Sequence, residues 1–154
     1  MANSAYLAGL HLLARRELSE AQIRQRLARR GYAPEDIDGA VARLREERAV
    51  DDRRVASAIA HTETRVRGRG RLRVRRQIEA AGISAALAQD AVDSVFADID
   101  PDALLAAALN RRLRGRATIE DDREFQRLFR YLSGQGFEHD RILALLRHHR
   151  SRKA

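Results

Sequence analysis

The chain has 154 residues, 44% of them hydrophobic and 34% charged, a balance that fits a folded protein better than a disordered one. Its formal net charge is +8, from 30 basic residues of which only Lys153 is lysine, and it contains no cysteine and no tryptophan. Disulfide and thiolate chemistry are excluded, a reducing compartment is expected, and the arginine fork directs attention to phosphate and carboxylate partners.

Aromatic residues make up only 5% of the chain, so the core must come mainly from Leu, Ile, Val and Ala. Apolar positions recur at threes and fours, and no segment alternates long enough to suggest a strand. An all-α fold is therefore expected. The opening MANSAYLAGLHLLARREL lacks a basic leader before a long apolar run, and no stretch approaches the ~18 apolar residues that span a bilayer. A cytoplasmic protein without membrane contact is expected.

In chain order, helices are expected over 4–16, 19–30 and 34–48. Ser19 with Gln22 three residues on has the form of a capping box. Pro34, followed by Glu35 and Asp36, suits a first helical turn, where proline needs no donor and acids meet the positive end of the dipole. Further helices are expected over 52–67, 70–81 and 84–97, then over 101–113, 121–134 and 138–149. Asp100, Pro101 and Asp102 repeat the Pro34 design.

Gly31, Gly82 and Gly136 each close a periodic segment. Each is followed by a large apolar residue: Tyr32, Ile83 or Phe137. An aliphatic stands four residues before each (Leu27, Ile78, Leu132) and another eight before (Ile23, Val74, Leu128). Ten residues after each come Val41, Val92 and Leu146. Three glycines with matching flanks describe an internal repeat. The expected organisation is three tandem three-helix repeats, 1–50, 51–99 and 100–150, in an elongated, curved array, followed by a basic tail at 151–154.

The twelve residues RVRGRGRLRVRR, Arg65 to Arg76, hold seven arginines and no acid. Val55, Ile59 and Val66 are expected on one helical face, and Val74, Ile78 and Ala81 on the next. At 100° per residue Arg69, Arg73 and Arg76 then fall opposite that second seam, with Arg71 and Arg75 to one side. The segment reads as a folded edge with arginines fanned outward, its nearest acids, Glu63 and Glu79, lying outside it. Such an edge is either a solvated face or a surface matched to an anionic partner. The anionic partner is nucleic-acid phosphate, held by its backbone without base readout, or an acidic protein surface. Arg111, Arg112, Arg114 and Arg116, around Gly115, form a second basic group at the corresponding junction of the third repeat. The acids Glu46, Glu47, Asp51 and Asp52, and later Glu120, Asp121 and Asp122, gather where caps and dipoles account for them.

No catalytic constellation is present. The histidines His11, His61, His139, His148 and His149 lack metal-ligand spacing, no phosphate-binding loop occurs, and the serines carry no nucleophile motif. A non-enzymatic protein with no metal and no cofactor is expected.

Three stretches carry a family resemblance. LREERAVDDRRVASAIAHTETRVRGRGRLRVRRQIEAAGIS (Leu44–Ser84), LLARRELSEAQIRQRLARRGY (Leu12–Tyr32) and REFQRLFRYLSGQGFEHDRIL (Arg123–Leu143) together resemble the RecX family of regulatory proteins. The most specific features are Asp51-Asp52 after a Leu-rich helix, the Gly-Arg break before the basic helix, and Gly82-Ile83-Ser84. Val55 stands where the family more often carries Phe. The resemblance implies three three-helix repeats. It also implies a regulator that binds the RecA recombinase, chiefly its filament on single-stranded DNA; a monomer is expected. The implied restraint covers strand exchange, ATP hydrolysis and the coprotease activity that triggers the SOS response. Clustering, and no family motif, nominates the contact residues: Arg65, Arg67, Arg69, Arg71, Arg73, Arg75 and Arg76, with Arg111, Arg112 and Arg114 secondary. The alternative is a non-specific helical DNA-binding module that needs no protein partner and holds DNA weakly through phosphate.

Overall fold

Helix periodicity carries through to the architecture. A computed structural model describes residues 2–150. Among them run α1 (Ala2–Arg15), α2 (Glu20–Arg29), α3 (Pro34–Glu46), α4 (Asp52–His61), α5 (Arg71–Ala80), α6 (Ala85–Phe96), α7 (Pro101–Leu113), α8 (Asp122–Gly134) and α9 (His139–His149), with one turn of π-helix, Thr62–Val66, continuing α4. The described residues hold no strand, only an isolated bridge between Ile119 and Arg150. The all-α expectation holds, and the nine expected segments coincide with the nine helices to within a few residues. The tail at 151–154 lies outside the described residues.

The residues group into two compact units. One comprises the chain up to Ile59 together with Gln77–Ala91; the other comprises Ala60–Arg76 and the chain from Val92 onward.

In the first unit, α1, α2 and α3 close on a core of aliphatic residues that includes Leu12, Leu18, Ile23, Leu27, Ile37, Val41 and Leu44. Ile23 and Leu27, the expected seam of α2, are both fully buried. Each such side chain contributes about 1.5–3 kcal/mol through removal from water. The capping box forms: the Gln22 backbone N–H donates to Ser19 Oγ at 3.1 Å, and the Ser19 N–H donates to Gln22 Oε1 at 3.0 Å. Ser19 Oγ itself donates to the Ala81 carbonyl, so a wholly buried hydroxyl is used in both directions. Pro34 opens α3 as expected. Asp52 Oδ1 accepts from the Glu20 N–H at 2.8 Å and Asp51 Oδ1 from the Arg54 N–H at 3.2 Å, so these acids serve helix starts.

In the second unit, α7, α8 and α9 enclose Leu105, Leu109, Leu113, Ile119, Leu128, Leu132, Phe137, Ile142 and Leu146. Asp100 caps α7 through the Asp102 N–H at 2.9 Å, and Asp121 caps α8 through the Glu124 N–H at 2.8 Å.

Gly31, Gly82 and Gly136 are all left-handed, with φ of +86°, +80° and +96°. At two of them the flanking pattern has a direct cause. Tyr32 N–H donates to the Leu27 carbonyl and Phe137 N–H to the Leu132 carbonyl, each at 3.3 Å. These are Schellman closures, in which the apolar residue after the glycine meets the aliphatic residue that ends the helical seam.

Candidate cationic interface

The arginine segment departs from ideal helical geometry before it begins. Within the Thr62–Val66 turn the Arg67 N–H donates to the Thr62 carbonyl at 3.0 Å, five residues back. The extra residue advances the register, and side chains after His61 no longer follow 100° per residue. Val66, expected on the apolar face with Val55 and Ile59, is instead 74% exposed, while Glu63 and Thr64 are buried. The chain then reverses through Gly68 at φ +65°, with its N–H donating to the Thr64 carbonyl at 3.1 Å and the Arg69 N–H to the Glu63 carbonyl at 2.9 Å.

The start of α5 is fixed by the turn between α8 and α9. Gly70 N–H donates to the Gln135 carbonyl at 2.9 Å, and Leu72 N–H to the Gly136 carbonyl at 3.0 Å. These are donors at and just before the first turn of a helix, which have no partner within the helix itself. A Cβ on Gly70 would stand 2.5 Å from the Gly136 carbonyl carbon, so the two backbones meet at a distance only glycine allows.

The seven arginines do not share one environment, and the expectation that all fan outward needs correction. Arg69 precedes α5 instead of lying opposite its seam, with only 20% of its side chain exposed. Its Nη1 donates to Gln135 Oε1 at 2.5 Å and its Nε stands 4.0 Å from Glu63 Oε2. Those two facing atoms are buried without a hydrogen-bond partner, and opposite charge offsets the cost of enclosing them. Arg73 Nη1 donates to the Gly134 carbonyl at 3.1 Å. Arg71 Nη1 donates to Asp93 Oδ1 at 2.8 Å, and Arg71 Cζ lies 5.1 Å from the centre of the Phe96 ring. Arg67 Nη1 donates to Glu63 Oε1 at 3.0 Å. Local acids therefore do offset part of the charge: Glu63, from the turn before, and Asp93, from α6. Arg65, Arg75 and Arg76 are exposed.

The second basic group joins the first. The Arg111 guanidinium lies over Gly68, where an added Cβ would be 2.8 Å from Nη2. Arg112 stacks on Tyr131, its Cζ 3.7 Å from the ring centre. Arg114 ends α7 in a left-handed conformation at φ +50°, followed by Gly115 at +85°. Arg116, four residues after Arg112, is paired with Glu124 and lies 3.7 Å from Glu120. Hydrogen bonds from Arg116 and from the Glu120 N–H hold the buried Glu124 carboxyl below the usual carboxylate range. All ten nominated arginines belong to the second unit. Sequence reasoning missed Asp93, Gln135 and Tyr131, which no local pattern marks, because each reaches the arginines from another turn or helix; Glu63, counted as lying outside the segment, stands four residues before Arg67 and pairs with it.

Among the described residues no group of three His, Asp or Glu side chains is placed to hold a metal ion, and no helix is long and apolar enough to cross a membrane. The geometry defines an all-helical protein of short helices, whose most concentrated chemistry is a display of guanidinium groups. A family model described as RecX, first three-helix domain, matches residues 5–44. The regulatory protein RecX of Halorhodospira halophila is 33% identical over 138 residues, covering 89% of this chain and 83% of the relative. The regulatory protein RecX of Chromohalobacter salexigens is 30% identical over 139 residues, covering 90% and 88%. The crystal structure of RecX from Lactobacillus salivarius superposes with a TM-score of 0.74 at 18% identity, covering 96% of this chain and 95% of that one. A second crystal structure of a regulatory protein RecX gives 0.77 at 21%, covering 96% and 71%. The chain belongs to the RecX family of regulatory proteins.

Proposed function

We propose that this chain binds the RecA recombinase, chiefly its filament on single-stranded DNA, and restrains recombination, ATP hydrolysis and coprotease activity there. The reading rests on the resemblance of Leu12–Tyr32, Leu44–Ser84 and Arg123–Leu143 to the family, which spans most of the chain. The contact surface we assign to it is the Arg65–Arg76 edge. Arg65, Arg75 and Arg76 are its outermost members, and Arg111, Arg112 and Arg114 extend it. Arg67, Arg69, Arg71 and Arg73 shape the edge while adding to its field.

One observation favours a protein surface over bare DNA. Val66 and Leu72, 74% and 44% exposed, stand among the arginines. A phosphate backbone has no use for aliphatic side chains, whereas an acidic protein surface with an apolar recess has. The test is RecA ATPase activity on single-stranded DNA at several salt concentrations. Inhibition is expected at protein levels far below those that coat the DNA. Inhibition that tracks DNA coating alone, with a steep salt slope and no dependence on RecA, would instead support the plain DNA-binding module.

A further inference from the structure

A cavity of about 310 Å³ opens at the end of α7, against α8. Its wall contains Arg111, Arg112, Arg114, Arg116 and Arg127, with Glu124 as the only acid. Pairing Glu124 with Arg116 leaves four guanidinium groups around one small space. Leu128 and the Tyr131 ring supply apolar wall. Like charges gathered over a low-dielectric floor repel one another and concentrate a positive field, which a multiply charged anion would relieve.

Two further features favour a ligand over an accidental cluster. The Arg112 Cζ lies 3.7 Å from the centre of the Tyr131 ring, a cation–π contact that draws its guanidinium to the cavity wall. Arg114 adopts φ +50° at a helix end where glycine or asparagine would be cheaper, and strain of that kind gathers at functional positions.

We infer that this cavity binds a compact oligophosphate, such as the tail of a nucleoside triphosphate. A nucleic-acid strand offers a single charge per phosphate, spaced along its backbone. Adjacent linked phosphates place several charges within one cavity of this size, and so match the four arginines that line it. The inference refines the secondary residues of the recombinase reading but does not depend on it, because its readout is binding to the chain alone.

The experiment is calorimetric titration of the full chain with tripolyphosphate, orthophosphate and a 20-residue oligothymidylate. Tripolyphosphate is expected to bind one-to-one and more tightly than orthophosphate. R112E/R127E should weaken it by roughly tenfold or more, since two charge-assisted contacts are lost. R112Q/R127Q serves if the charge reversal perturbs folding. R16E/R29E, the same charge change at exposed sites in the first unit, should bind as the parent does. R114N, which suits a left-handed residue, should raise the melting temperature while weakening tripolyphosphate binding. Unchanged binding in both the R112E/R127E and R112Q/R127Q proteins overturns the inference. Equal loss in R16E/R29E would reduce it to a diffuse charge effect. Oligothymidylate binding that is lost in R112E/R127E, with no tripolyphosphate binding, would assign the cavity to a strand instead. None of these results bears on RecA inhibition, which is measured separately.

Discussion

Gly70 and Gly136 meet backbone to backbone, with the would-be Cβ of Gly70 only 2.5 Å from the carbonyl carbon of Gly136. This contact sets where α5 begins, and α5 carries four of the seven clustered arginines. The position of the cationic edge thus depends on two residues that have no side chain.

Gly70→Ala should destabilise the protein by about 1–3 kcal/mol, since the obstructing atoms are backbone and cannot rotate aside. Gly134→Ala is the matched control: it closes α8, meets nothing within 4 Å, and should gain up to about 1 kcal/mol. Urea unfolding of the two variants measures the opposite signs. Equal effects would show that the contact does not constrain the chain.

Ser19→Ala removes both the cap on α2 and the hydroxyl that donates to Ala81. The cap alone is worth about 1 kcal/mol, and an unpaired buried carbonyl adds about 1–3 kcal/mol. Ser19→Thr keeps the cap oxygen and should recover part of the loss. Thermal melting of the pair measures it, and indifference to Ser19→Ala would mean that water replaces the hydroxyl on both sides.

The arginines of the edge should separate by role. Arg69→Ala leaves the Gln135 amide oxygen without its donor and the buried Glu63 carboxylate with Arg67 alone, and should cost about 1–3 kcal/mol. Arg65→Glu with Arg76→Glu should leave the stability within about 0.5 kcal/mol, as exposed substitutions do, while weakening RecA inhibition. Denaturation and ATPase inhibition, run on both proteins, distinguish the roles. Intact inhibition by the Arg65/Arg76 variant would move the contact elsewhere.

Glu124 should mark the acid limb of stability. Its folded pKa lies below its unfolded value, chiefly through the Arg116 hydrogen bond. Its contribution is then complete above the ordinary glutamate pKa of about 4.3, and is lost as pH falls through the lower folded value. Glu124→Gln should accordingly melt well below the parent at pH 7, and the gap should narrow toward pH 3. A gap independent of pH would mean that the carboxylate charge contributes nothing.

Val66→Asn should be close to neutral in stability, because the π turn has already brought this position to the surface. Val74→Ala, at a fully buried site, should cost about 1–3 kcal/mol. Chemical denaturation compares them. A large loss at Val66 would restore the regular helical register.

Periodicity and punctuation sufficed for the helices, since seams such as Ile23 and Leu27 and stops such as Gly31 are local patterns with local causes. The capping box at Ser19 was legible for the same reason, but its second bond, to Ala81, was not: sixty-two residues separate the two. Nothing in TETRV distinguishes a π turn from an α turn, so the outward displacement of Val66 could not be foreseen. The arginine cluster was visible as charge alone. Its division into anchored and exposed members depends on Gln135 and Asp93, which come from other parts of the chain.

Arginine changes in use from the middle of RVRGRGRLRVRR to its ends, and this bears on what substitution can do there. Where a guanidinium bonds a carbonyl, an amide or a carboxylate from a neighbouring turn, as at Arg69, Arg71 and Arg73, lysine would retain the charge but not the fork. At Arg65 and Arg76 either residue supplies the same field. Relatives free to drift between the two cations should therefore do so unevenly, tolerating lysine at the outer positions and refusing it at the inner ones.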